Sequence, residues 1–145
     1  MLINHEWMQR ISMHDYISID NMVYFFALNF NGLYRMYLPT RKLEFLGSAP
    51  NEKLYQKHLY GAIAEANGKL FFPPMNGNEI AIYDIENRAF DKIPLKYDAF
   101  GMLSKFYGAL TVGTKVYFIP ARYRYLVEID TINGDITYID NWLVM

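Results

Sequence analysis

The side chains that could do chemistry in this chain are few, and none falls at the spacing that chemistry demands. The three histidines, His5, His14 and His58, are scattered, and His5-Glu6 lacks the second histidine of a zinc-binding helix. Asp84 and Asp130 would suit a paired-carboxylate site for general acid and base work. Each, however, ends the same kind of short apolar run, where an aspartate bonds back to the backbone N–H groups that follow it. Asn133-Gly134-Asp135 lacks the alternating acids and terminal glutamate of a calcium loop and reads as a hairpin turn. Glycine spacing gives neither a phosphate-binding loop nor a dinucleotide fingerprint, and no Gly-x-Ser-x-Gly elbow occurs. The absence of cysteine excludes thiol catalysis, disulfides and cysteine-ligated metals. No catalytic residue, metal ligand or cofactor is therefore expected.

The elements that carry these residues repeat. The segment from Gly68 to Pro94 matches that from Thr114 onward at an offset of 46 residues, which places Phe72 on Phe118, Asp84 on Asp130, Asn87 on Asn133 and Ile93 on Ile139. A third, weaker copy lies upstream at an offset of 47, with Val23 on Leu70, Phe25 on Phe72, Leu33 on Ile80 and Leu46 on Ile93. Repeats of this length belong to propeller blades and related arrays, in which one unit cannot bury its apolar faces alone.

Within each copy the period is that of strands. Lys69 to Phe72 and Lys115 to Ile119 are short aromatic runs stopped by proline, which cannot donate to a central ladder. Glu79 to Asp84 and Tyr125 to Asp130 follow, then turns at Glu86-Asn87-Arg88 and Asn133-Gly134-Asp135, then strands at Ala89 to Ile93 and Ile136 to Ile139. Ahead of each copy, Tyr60-Gly61-Ala62-Ile63 and Tyr107-Gly108-Ala109-Leu110 lie 47 apart, and their small residues suit a strand near a crowded axis. The expected fold is all-β, a β-propeller-like array of about three four-stranded antiparallel blades. We expect one repeat domain over 1–145, with a leading strand at about 2–11 and blades at about 16–47, 60–94 and 107–140.

The run from Tyr83-Asp84 through Phe90 to Ile93-Pro94 resembles the end of a kelch repeat, in which a Tyr-Asp pair begins a hairpin turn and an aromatic and a Leu-Pro follow. Phe90 stands at the aromatic position and Ile93-Pro94 at the Leu-Pro. The third copy keeps Asp130 but has Ile136 at the aromatic position, and Asn67-Gly68 and Gly113-Thr114 replace the paired glycines. The resemblance covers roughly residues 16–140. It implies a propeller, but closed propellers have 4 to 8 blades. Three arrangements answer the mismatch: a piece of a longer propeller, a homodimer completing a six-bladed ring, or an open array with protected ends.

In propellers, ligands meet the loops at one mouth of the channel, so the residues entering each first strand become the binding candidates. Here these are His58 and Tyr60, then Lys105 and Tyr107. Arg122 and Arg124 flank Tyr123 in a loop suited to a carboxylate or phosphate. The expected function is a non-catalytic module that binds a protein or carbohydrate partner, or another small ligand. The alternative is a propeller enzyme of lyase or hydrolase type, or a small-ligand sensor, and it requires these residues to converge on one mouth. A formal net charge of −1 and a pI near 6.3 argue against a broad nucleic-acid or anionic-membrane footprint. The N-terminal stretch lacks a signal peptide's apolar core, and no run of 18 apolar residues could span a bilayer, so cytoplasmic placement is expected.

Overall fold

The computed structural model describes residues 11–97 and 99–143, so residues 2–10 of the expected leading strand, with His5 and Glu6, lie outside the described residues. Twelve strands run in chain order: β1 Ile17–Ile19, β2 Met22–Phe26, β3 Leu33–Tyr37, β4 Lys42–Gly47, β5 Ala64–Ala66, β6 Lys69–Phe72, β7 Glu79–Asp84, β8 Ala89–Pro94, β9 Phe106–Val112, β10 Lys115–Pro120, β11 Leu126–Asp130 and β12 Ile136–Ile139. They form three four-stranded antiparallel meanders, β1 to β4, β5 to β8 and β9 to β12. The chain is all-β among the described residues and forms a partial propeller-like array.

The pairing register obeys the sequence repeat residue by residue. Val23 pairs with Met36, Leu70 with Tyr83 and Val116 with Ile129, while Met22–Tyr37, Lys69–Asp84 and Lys115–Asp130 are the equivalent pairs at the open ends of the three central hairpins. One backbone bond recurs beside each of them: Leu38 donates to Asn21 O, Ile85 to Gly68 O and Thr131 to Thr114 O. Arg41, Arg88 and Gly134, at the same place in the third-to-fourth strand turn, all have positive φ (58°, 53° and 83°). The two-residue turns Asp20-Asn21 and Asn67-Gly68 have positive φ at both positions, the I′ arrangement whose twist matches the strands it joins. Asp84 and Asp130 serve their turns: Asp84 Oδ1 accepts from Asn87 N–H (3.0 Å) and Asp130 Oδ1 from Ile132 N–H (2.9 Å).

Alternation along the strands sends apolar residues to both faces of a sheet, so the sheets stack. Tyr24, Phe26 and Leu33 of the first sheet pack against Leu70, Phe72, Ala81 and Tyr83 of the second. The other face of the second sheet, with Phe71 and Ile80, meets Val116, Phe118, Val127 and Ile129 of the third. Phe72 and Phe118 are fully buried, as their shared repeat position requires. The segment leading into β5 passes so close to β9 that a Cβ on Gly61 would sit 2.5 Å from the Phe106 carbonyl oxygen, which explains the small residue there.

Two details differ from the sequence reading. Tyr60 to Ile63 form no strand; Tyr60 makes an isolated bridge to Pro74, and the first strand of the second sheet begins at Ala64. Tyr107 is not the counterpart of Tyr60 either. Phe106 pairs with Pro120 as Tyr60 bridges Pro74, and the β9–β10 register shifts at Ile119/Pro120. Tyr107 is the extra residue of that bulge. A bulge turns the inserted side chain away from the pleat, which leaves Phe106 fully buried and Tyr107 about half exposed.

Candidate functional site

Antiparallel order puts the β2–β3, β6–β7 and β10–β11 connections at the same end of the array as the long connections β4–β5 and β8–β9. This loop end is tied together by hydrogen bonds that repeat from sheet to sheet. His58 N–H donates to Leu28 O (2.6 Å), and Lys105 N–H to the equivalent Met75 O (2.9 Å). Asn76 N–H donates to His58 O (2.9 Å), and Arg122 N–H to Ser104 O (3.0 Å). Ser104 N–H in turn donates to Asn76 Oδ1 (2.9 Å), so His58, Asn76, Ser104 and Arg122 form one chain of bonds across the three sheets. His58 and Ser104, 46 residues apart, share a left-handed backbone (φ 55° and 56°), a conformation that costs a non-glycine residue energy and is held by these contacts.

The six residues singled out by sequence all lie at or just inside this end, in different roles. His58 and Arg122 are bound into the chain of bonds through their backbones, with Arg122 exposed. Tyr60 is buried, edge-on to Phe26 (4.7 Å), and burial, reinforced by the nearby carboxylates of Glu52 and Glu79, pushes its hydroxyl far above the usual tyrosine range. Lys105 is fully buried; its Nζ donates to Gly77 O (2.7 Å) and Met102 O (2.5 Å), so it is no free cation of the rim. Desolvation lowers the Lys105 pKa and Glu52 opposes that shift. Tyr107 donates to Ser104 Oγ (2.8 Å), and its ring lies 5.9 Å from that of His14. Arg124 lies over the Tyr125 ring (5.3 Å), beside Asp140 at 3.6 Å.

None of the six lines a roomy cavity at this end. That cavity, about 490 Å³, lies where the β4–β5 connection, the start of β7 and the β8–β9 connection meet, with Asn51, Glu52, Asn78, Glu79, Tyr97 and Phe100 on its wall. Behind the wall, the Lys92 ammonium is 3.0 Å from Glu52 Oε1 and 3.6 Å from Glu79 Oε1 and donates to Pro50 O (3.1 Å). Asn78 Oδ1 accepts from Gly101 N–H (3.0 Å) and so fixes the β8–β9 connection against β7. Asn31, its repeat counterpart, clamps the β4–β5 connection in the same way through Ala49 N–H (2.8 Å). The Tyr97 ring stacks on Tyr125 (4.4 Å) and takes Tyr138 edge-on (5.4 Å).

Sequence reasoning missed this set because it lies outside the first-strand entries. The available signal was a break in the repeat: Glu79 and Lys92 fall on Tyr125 and Tyr138 of the third copy, whose rings touch at 6.1 Å. A partly buried ion pair in the second sheet thus occupies the place of an aromatic pair in the third. Among the described residues, no group of three or more histidine, cysteine or acidic side chains could hold a metal, and no helix is long and apolar enough to cross a membrane.

Comparison with known proteins shows the fold alone. No family model matches the chain, and no curated protein matches it. Among solved structures it is similar to the extracellular domain of a putative one-component system from B. thetaiotaomicron (TM-score 0.60, 14% identity, 87% of this chain and 16% of that one). It is also similar to the hydrazine synthase of Kuenenia stuttgartiensis (TM-score 0.65, 12% identity, 87% and 34%) and to the computationally designed protein Ika4 (TM-score 0.62, 10% identity, 91% and 74%). The chain thus spans well under half the length of the first two.

Proposed function

We propose that this chain is a non-catalytic binding module of kelch-like β-propeller type that meets its protein, carbohydrate or other small ligand at the loop end. The observation that carries this reading is the chain of bonds from His58 through Asn76 and Ser104 to Arg122, which makes one preorganised surface from connections of all three sheets. Loops held in this way lose little entropy when a ligand docks. The opposite end consists of tight turns whose polar groups serve the turns themselves, as at Asp84 and Asp130.

No nucleophile with an adjacent base accompanies the surface among the described residues, and for that reason the enzyme reading comes second. The balanced net charge keeps nucleic acid and membrane outside the proposal. Cytoplasmic placement is retained as part of it. Closure of a six-bladed ring by two copies is the associated assembly, which light scattering on the gel-filtered chain would read as a dimer.

Amide chemical-shift mapping of the labelled chain against soluble glycans and short peptides tests the binding reading. Perturbed amides are expected around Asn51, Asn78, Ser104 and Arg122. Perturbation confined to Asn21, Gly68 and Thr114 would overturn it.

A further inference from the structure

We infer that the cavity walled by Glu52, Glu79 and Tyr97 is a subsite for a neutral pyranose sugar; this rests on the loop end being the binding surface. The first ground is departure from the repeat. Where packing alone gives the third sheet Tyr125 and Tyr138, the second carries Glu79 and Lys92, a charged pair with a desolvation cost that an aromatic pair avoids.

The second ground is charge balance. Among the described residues, the two carboxylates at the wall face two ammonium groups, and both ammonium groups are already engaged. Lys92 points its donors at Pro50 O, Glu52 and Glu79, and Lys105 spends two on Gly77 and Met102 carbonyls while lying within electrostatic reach of Glu52. From the described residues, a cationic or anionic ligand would meet no net opposite charge here. A neutral ligand bearing hydroxyls meets acceptors instead, because Lys92 engages Oε1 of each glutamate and each carboxylate has a second oxygen. Asn51 and the Asn78 amide add further polar groups at the same wall.

The third ground is a held aromatic ring. Tyr97 lines the cavity and is fixed by the Tyr125 stack and the Tyr138 edge, so it offers a rigid apolar surface at low entropic cost to the C–H face of a sugar. At about 490 Å³ the cavity lies within the roughly 300–1,000 Å³ of small-molecule sites.

Saturation-transfer NMR on the full chain, with the methyl pyranosides of glucose, galactose, mannose and xylose at millimolar concentration, tests the inference. n-Butylammonium and glucose 6-phosphate serve as charged probes. Transfer to the ring C–H protons of at least one neutral glycoside is expected, weakened about tenfold by Tyr97→Ala and by Glu79→Gln. Thermal melts of the two variants that stay cooperative and unfold above the assay temperature guard against loss of fold as the explanation. Transfer to none of the neutral glycosides overturns the saccharide assignment, and so does transfer to a charged probe alone. In either case amide perturbation at the loop end by another ligand leaves the binding-module reading standing, whereas silence there sinks both.

Discussion

The Lys92 ammonium lies 3.0 Å from Glu52 Oε1, pinning the outer strand of the second sheet to the connection that enters that sheet. Lys92 is 6% exposed at its side chain and Glu52 14%, so removal of one partner strands the other in a poorly solvated place. Lys92→Met is expected to lower unfolding stability by about 3 to 5 kcal/mol. Adding Glu52→Gln to that variant should recover much of the loss. Urea unfolding of the two singles and the double measures the coupling, and additivity would mean that the pair does not interact.

Phe106 and Tyr107 are neighbours with opposite fates, and their alanine variants should separate. Phe106 is fully buried against Phe118 and Tyr123, so Phe106→Ala is expected to cost about 3 to 5 kcal/mol. Tyr107 sits out on the bulge with one hydrogen bond to Ser104, and Tyr107→Ala should cost about 1 kcal/mol or less. Denaturation midpoints read the difference directly, and a reversed order would place the bulge at the wrong residue.

That pair marks how far the sequence is legible. The offset of 46 to 47 residues foretells the strands and their register, because equivalent apolar positions must face equivalent neighbours. Pairing Tyr60 with Tyr107 follows residue identity, and identity does not reveal a bulge; only the ladder shows that Phe106 takes the buried place. The cavity was hidden for a related reason. Its walls come from connections such as Asn51-Glu52 and Tyr97, which differ between copies, and periodicity says nothing about where a long connection folds back.

Lys105 offers a separate test. Lys105→Met removes the donor from two carbonyls, Gly77 O and Met102 O, and is expected to cost about 1 to 3 kcal/mol. The pH dependence has a definite sign. With its folded pKa below the ordinary 10.5, the unfolded chain binds more protons between the two values, so this residue makes stability rise with pH in that alkaline window. The Met variant should lack that rise, as thermal melts at a series of alkaline pH values would show.

Acid should act through the turns. Asp84 is held below the ordinary carboxylate value of 3.8 by the backbone N–H of Asn87, and Glu44 below 4.5 by its hydrogen bond to Arg35, helped by Arg88. Depressed carboxylates contribute stability that is complete above their ordinary values and is lost as pH falls through the folded ones. Asp84→Asn is therefore expected to lower stability at neutral pH, where the ionised carboxylate contributes fully, and to flatten the acid limb of a stability-versus-pH curve. An unchanged acid limb would remove Asp84 from the turn's support.

The central claim is that the loop end is one built surface, and amide hydrogen exchange measures it most directly. If the chain of bonds through His58, Asn76, Ser104 and Arg122 holds, the N–H groups of Asn76, Ser104, Lys105 and Arg122 will exchange as slowly as those of β6 and β10, although all four residues lie in connections and only Lys105 has a buried side chain. Exchange at the rate of unprotected loops would contradict the account, leaving three stacked sheets without a preorganised face.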